Sequence, residues 1–185
     1  TTTDYSHVGI SPDNPNIVKG RAGSPYAIKD YYDVNPDLAD VQGNRLEEFR
    51  DLLRRTHDAG LKVIIDFVPN HVSREYKSIS APEGVCGLGE NDDCTKHFSP
   101  QNNFYYLPGQ QFGIEGMDLG GYCEQPARAT GNDQFTARPN QGDWYETVKL
   151  NYGIDYLGGR QGHFDPVPRT WKQMLHILQY WADKE

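Results

Sequence analysis

The run LKVIIDFVPNHVS, residues 61–73, constrains the fold more than any other part of the chain. Its first half is apolar and β-branched, the pattern of a strand buried on both faces of a parallel sheet. Just before it, residues 44–60 carry a helical pattern. Leu46, Phe49, Leu52, Leu53 and Thr56 recur at three- and four-residue spacing, with charged pairs opposite. Asn44 and Glu47 have the spacing of a capping box, and Gly60 supplies a C′ position where a left-handed backbone meets no Cβ penalty. Helix, tight stop and an apolar strand over 62–68 make the αβ half of a βαβ unit, which predicts an α/β protein with a parallel sheet. One strand cannot build a sheet core, so the expected context is a larger α/β protein of which these residues are a segment.

The flanking regions read differently. Residues 1–36 are turn chemistry, with "SPDNPN" and "KGRAGSP" and no helical period. From 72 to about 149 the chain is rich in Gly, Pro, Asn and Tyr and keeps no period. A structureless loop of that length does not suit a compact domain. The reading is an irregular inserted unit, with short β-pieces near "NNFYYL" and "WYETVKLNY". A second helix is expected to start at Asp165-Pro166 or in "VPRT", with Trp171, Met174, Leu175, Leu178 and Trp181 as its apolar stripe.

A formal net charge of −8 argues against nucleic acid or an anionic membrane surface as the main partner, because both demand basic patches. No apolar run approaches the roughly 20 residues of a membrane span. The opening "TTTDYSHVG" has neither a basic start nor an apolar h-region. Location stays open, with an extracellular, cell-surface or periplasmic one favoured, and oligomeric state is not legible. Cys86, Cys94 and Cys123 fit no zinc spacing; a Cys86–Cys94 bridge and three unrelated thiols are both compatible with the sequence.

The chemistry gathers at the end of the expected strand. Asp66, Asn70 and His71 fall within six residues, around Pro69, which cannot donate to a ladder. Parallel α/β sheets and barrels bind ligands at the C-terminal ends of their strands, so a carboxylate, an amide and an imidazole there point to a site.

These residues also carry a family resemblance. "DFVPNH", residues 66–71, resembles the first signature region of the α-amylase family of glycoside hydrolases, at the end of its third barrel strand. Upstream, "GSPYAIKDYYDVNPDLAD" is similar to the family's loop leading toward the helix before that strand. "KLNYG", residues 149–153, resembles its fifth conserved region. The implied fold is a partial (β/α)8 TIM barrel, running from after strand 2 to helix 3, with an irregular inserted domain B. Its parts would be a barrel segment at 1–71, domain B at 72–150, and barrel helix 3 at 151–185.

The resemblance implies roles for four residues. Tyr26 matches the tyrosine that stacks on the sugar beside the scissile bond, a role suited to a flat ring against a pyranose face. The family often has Gly-Tyr-Asp there, whereas this chain has Pro25-Tyr26-Ala27, so the Asp and its hydrogen bond are missing. His71 matches the histidine that hydrogen-bonds the same sugar. Asp66 matches a carboxylate bracing the active site. Asn70 matches a ligand of the structural calcium between barrel and domain B in many members, and an amide oxygen is a suitable hard ligand. The acidic run at 89–93 reads as a solvated loop, with oxygens for that calcium as the alternative, and the contexts of Asp30, Asp33, Asp118, Asp143 and Glu146 also read as solvated. Trp144, Tyr145, Tyr105 and Tyr106 are candidates for outer sugar subsites, each also compatible with packing.

The family's retaining chemistry needs two carboxyl groups about 5–5.5 Å apart, and the resemblance places them on strands beyond this segment. The expected Gly-Phe-Arg-x-Asp pattern is absent from the chain. The implied function is part of an α-glucan-active hydrolase or transferase acting on starch or malto-oligosaccharides, inactive by itself. The alternative is a non-catalytic α-amylase-like protein kept for carbohydrate binding or scaffolding.

Overall fold

The structure, a computed structural model, describes residues 2–184. Helix α1 spans Arg45–Asp58, close to the expected bounds, and Gly60 takes a positive φ of 74° after it. The capping box is not formed. The Asn44 side chain makes no cap bond, and Glu47 pairs with Arg50 instead. Glu48, one residue on, does the work at this end: its two oxygens accept from the backbone N–H of Asp40 (2.7 Å) and Val41 (2.8 Å). A short 3-10 turn at Gln42–Asn44 leads straight into α1, so no extended N-cap residue is available to bond backward.

The expected buried strand at 62–68 is corrected by the structure. Those residues pair with no other segment, and Ile64 is 94% exposed. A strand is defined by its neighbours, and among the described residues no second long apolar strand lies beside it. Residues 68–70 are instead tethered through their carbonyls. Tyr31 donates its hydroxyl to Val68 O (2.5 Å), Tyr152 to Pro69 O (2.6 Å), and Leu150 N to Asn70 O (3.1 Å).

Pairing begins at the next residue. Strand β1 (His71–Ser73) is followed by β2 (Tyr106–Leu107), β3 (Ala127–Arg128), β4 (Thr147–Lys149), β5 (Ile154–Asp155) and β6 (Gln161–Gly162). They form three two-stranded antiparallel ladders, β1–β4, β2–β3 and β5–β6. No closed barrel and no parallel pair exists among the described residues. β2 and β4 fall where short β-pieces were expected. The β1–β4 register sets His71 opposite Lys149 and Val72 opposite Val148, bringing the two ends of the intervening chain side by side.

Helix α2 (Arg169–Ala182) starts just after the "VPRT" proline, Pro168. Its buried face is Thr170, Met174 and Ile177, not the whole predicted stripe: Trp171, Leu175 and Leu178 are about half exposed. The helix is apolar on two sides; on the half-exposed one Trp171 meets Tyr152 and Phe164, and the main packing belongs to the buried one. That side packs on Val72, Val148, Leu150, Phe104, Tyr31 and Tyr32. Each aliphatic side chain so buried contributes about 1.5–3 kcal/mol. A second core, with Ile17, Leu107, Phe112, Ile114, Ala127 and Tyr145, fills the region between β2 and β4. The side chain of Asp92, in the run read as solvated, is only 1% exposed. It accepts from Asn103 N, Phe104 N and the Tyr106 hydroxyl and faces Arg169 at 3.4 Å, tying α2 to β2.

Loop acids read as solvated are mostly internal. Asp33 grips Arg45 through two bonds of 2.6 Å, and Asp30 accepts from Ser78 Oγ, Ile79 N and Ser80 N. Asp143 and Glu146 are buried, while Asp118 is exposed. Irregular backbone needs acceptors for its unpaired N–H groups, and carboxylates supply them. The three cysteines are free and exposed, so the Cys86–Cys94 bridge is not formed. Among the described residues no helix is long and apolar enough to cross a membrane.

Candidate functional site

The site is built where β1 begins. His71 is 6% exposed, its ring edge-on to Trp144 with centroids 5.3 Å apart. The turn at 130–134, closed by a bridge between Thr130 and Gln134, sits over it. Gly131 permits this approach: an added Cβ would lie 2.9 Å from His71 Cβ and closer still to Thr147 Oγ1. Gly131→Ala is therefore expected to cost about 1–3 kcal/mol through overpacking, read from the denaturant midpoint. A neutral result would mean that the turn is not seated on His71.

Asn70 connects the parts. Its amide oxygen accepts from Lys149 Nζ at 2.9 Å, and its amide nitrogen donates to Gly131 O at 2.8 Å and meets His71 Nδ1 at 2.9 Å. An ammonium only donates, so the amide oxygen must face Lys149 and the NH2 must face the imidazole. His71 Nδ1 is then the acceptor, and the neutral ring carries its proton on Nε2. Burial pushes the imidazole below its ordinary pKa and the Lys149 ammonium pushes the same way, against a hydrogen bond to the Tyr26 carbonyl. Lys149 also pairs with Asp133 at 2.7 Å, and Asp133 sits in the left-handed region at φ 63°.

The loop carrying Tyr26 is held from two sides. Glu146 accepts from Lys19 N (3.1 Å) and Ser24 N (3.3 Å), and Ser73 N donates to Ile28 O at 2.8 Å. Tyr26 is 53% exposed and Trp144 48%; Trp144 meets the imidazole edge-on and Tyr26 reaches it through its backbone carbonyl. Tyr105, Tyr106 and Tyr145 are buried in packing. Asp66 is exposed and makes no polar contact among the described residues. The structure thus brings together Tyr26, Asn70 and His71 and leaves Asp66 apart. Gly131, Trp144, Glu146 and Lys149 complete the site. Of these, Trp144 was a subsite candidate in the sequence, Glu146 read as a solvated acid, and Lys149 opened the KLNYG resemblance without a role.

For a metal, Asn70 Oδ1 is the one atom its side chain offers, and an ammonium holds it. Among the described residues no three His, Cys, Asp or Glu side chains gather to bind an ion. The residues present do not fit a calcium.

Comparison with known proteins gives the class first. Residues 14–118 match the model of the α-amylase catalytic domain, a glycoside hydrolase domain whose fold is of the TIM-barrel type. The chain belongs to the α-amylase family. It is similar to the alpha-amylase-related proteins of Drosophila lini, Drosophila kikkawai and Drosophila sechellia, at 33% identity over 76 residues, which is 41% of this chain. The matched stretch spans only 15% of the length of those relatives. No solved structure matches.

Proposed function

We propose that these residues form one wall of the sugar site of a retaining, α-glucan-active glycoside hydrolase, cleaving or transferring α-glucosyl units of starch or malto-oligosaccharides. Tyr26 stacks on a sugar ring, His71 hydrogen-bonds its hydroxyls, and Asp66 braces a residue of a neighbouring strand. The nucleophile and the acid/base lie outside this segment, which alone is inactive. Residues 1–71 and 151–185 are barrel parts, and 72–150 is an inserted domain B.

The observation that carries this reading is the imidazole of His71, edge-on to the half-exposed Trp144 and bonded to the backbone of the half-exposed Tyr26, with His71 and Tyr26 both within the stretch that matches the catalytic-domain family. Flat amphipathic rings beside a hydrogen-bonding ring are what a pyranose needs. The half-exposed face of α2 and the bare 61–65 stretch support the segment reading, since barrel strands would cover both. The paired ends of β1 and β4 support an insertion between them.

The test uses the intact protein on malto-oligosaccharides, following the product anomer by NMR. Cleavage with retention of the α-anomer is expected, with none from the 185-residue chain alone. Peptide mapping past residue 185 separates the alternative. Finding the next strand without an Asp two residues after its Arg, together with no turnover, would leave a binding or scaffolding relative.

A further inference from the structure

The mismatch between Asn70 and a calcium ion has a positive counterpart. A calcium ion takes six to eight oxygens at about 2.3–2.6 Å. Here the amide oxygen of Asn70 and a carboxylate oxygen of Asp133 converge on one point, and the point is the ammonium of Lys149, at 2.9 and 2.7 Å. The lysine side chain is only 10% exposed. Its place is set by the β1–β4 register, which puts Lys149 across from His71, and by its backbone N–H to Ala129 O at 3.0 Å. A second cation sharing those two oxygens would lie within a few ångströms of the ammonium, in a half-buried place where like charges repel strongly.

We propose that Lys149 is the resident cation of this joint: a tethered ammonium that links Asn70 at the start of β1 to Asp133 in the 130–134 turn, in place of a bound divalent ion. It does two things at once. It neutralises Asp133, and it fixes the Asn70 amide so that the NH2 faces His71 Nδ1. The joint is metal-independent, and the orientation of His71 is set by a side chain of the chain itself. The metal statement does not rest on the sugar reading; only the use made of His71 does.

The test reads metal content and melting, neither of which depends on turnover. The intact protein is equilibrated with calcium chloride, gel-filtered and analysed for bound metal, and melted in calcium and in EDTA. The two melting curves are expected to coincide within about 1 °C. Calcium retained by the wild type and lost in Asp133→Asn would overturn the proposal. Calcium retained equally by both lies elsewhere and leaves the joint metal-free, as proposed. Lys149→Met keeps the stem and removes the charge, and should lower Tm by roughly 5 °C in both buffers; no change would overturn the proposal. Should that variant not fold, Asp133→Asn reads the same contact, because Asn tolerates the left-handed backbone as Asp does. A fall of about 2 °C is expected there, and none would count against the clamp. The ring nitrogens of selectively 15N-labelled His71 give a readout that mere packing would not move. The wild type should show one tautomer, protonated on Nε2, and Lys149→Met a mixture. A mixture in the wild type would overturn the orienting role.

Discussion

Arg74→Met is expected to cost about 3–5 kcal/mol, enough to unfold much of the region between β1 and β4. Arg74 follows β1 directly and its side chain is fully buried. It donates to Glu124 Oε1 at 2.6 Å, to Tyr145 O at 2.7 Å and to Thr147 O at 3.1 Å, with its guanidinium 3.8 Å above the Phe112 ring. One side chain therefore ties the entry of the segment, at β1, to its exit at β4 and to its middle at Glu124. Methionine restores the stem but no donor, leaving the Tyr145 and Thr147 carbonyls orphaned and Glu124 with Arg128, at 2.8 Å, as its one charged partner beside the Tyr122 hydroxyl. Urea unfolding followed by tryptophan fluorescence measures the loss, and a cost under about 1 kcal/mol would show that the network does not hold the segment. Adding Glu124→Gln should cost less than the two single changes summed, because the second removes the charge that the first exposed.

The same carboxylate predicts an acid limit. Burial alone would raise the Glu124 pKa, but Arg74 and Arg128 outweigh it and hold it near 2, against an ordinary 4.5. Its folded pKa lies below its unfolded one, so its contribution is complete above about pH 4.5 and is lost as pH falls toward 2. At about 1.4 kcal/mol per unit this is on the order of 3 kcal/mol, consistent with the cost argued for Arg74. Glu124→Gln should flatten that part of the acid unfolding curve.

Helix α1 and its stop were legible because a 3.6-residue period and a glycine are local signals. The run after it was equally legible as strand chemistry, yet Ile64 stands bare, because a ladder needs a neighbour and no pattern within 62–68 supplies one. Asn70 and His71 were visible as a cluster. Lys149 was visible only as the first residue of the KLNYG resemblance, with no partner; the β1–β4 register is what places it against Asn70, 79 residues away. Arg74 and Glu124 escaped for the same reason, being 50 residues apart in sequence with no period to link them. Asp33 and Glu146 read as loop acids because the N–H groups and the guanidinium they serve become their partners only after folding.

His71→Ala in the intact protein is expected to lower kcat/KM on malto-oligosaccharides by on the order of 10²-fold, mostly in kcat. The argument begins with what the substitution leaves behind. Asn70 loses one acceptor, at about 1 kcal/mol, while its bonds to Gly131 O and Lys149 remain. Trp144 loses its edge contact with the imidazole. The β1–β4 ladder is backbone and stays paired. Melting should therefore fall by only a few degrees, and a larger rate loss must come from the sugar. An imidazole held through Asn70 and the Tyr26 carbonyl before substrate arrives requires no reorganisation when positive charge builds on the sugar ring. A rise in KM with kcat unchanged would reduce His71 to ground-state binding. Unchanged turnover would remove it from the sugar site, and the proposed role of the Tyr26–His71–Trp144 face with it.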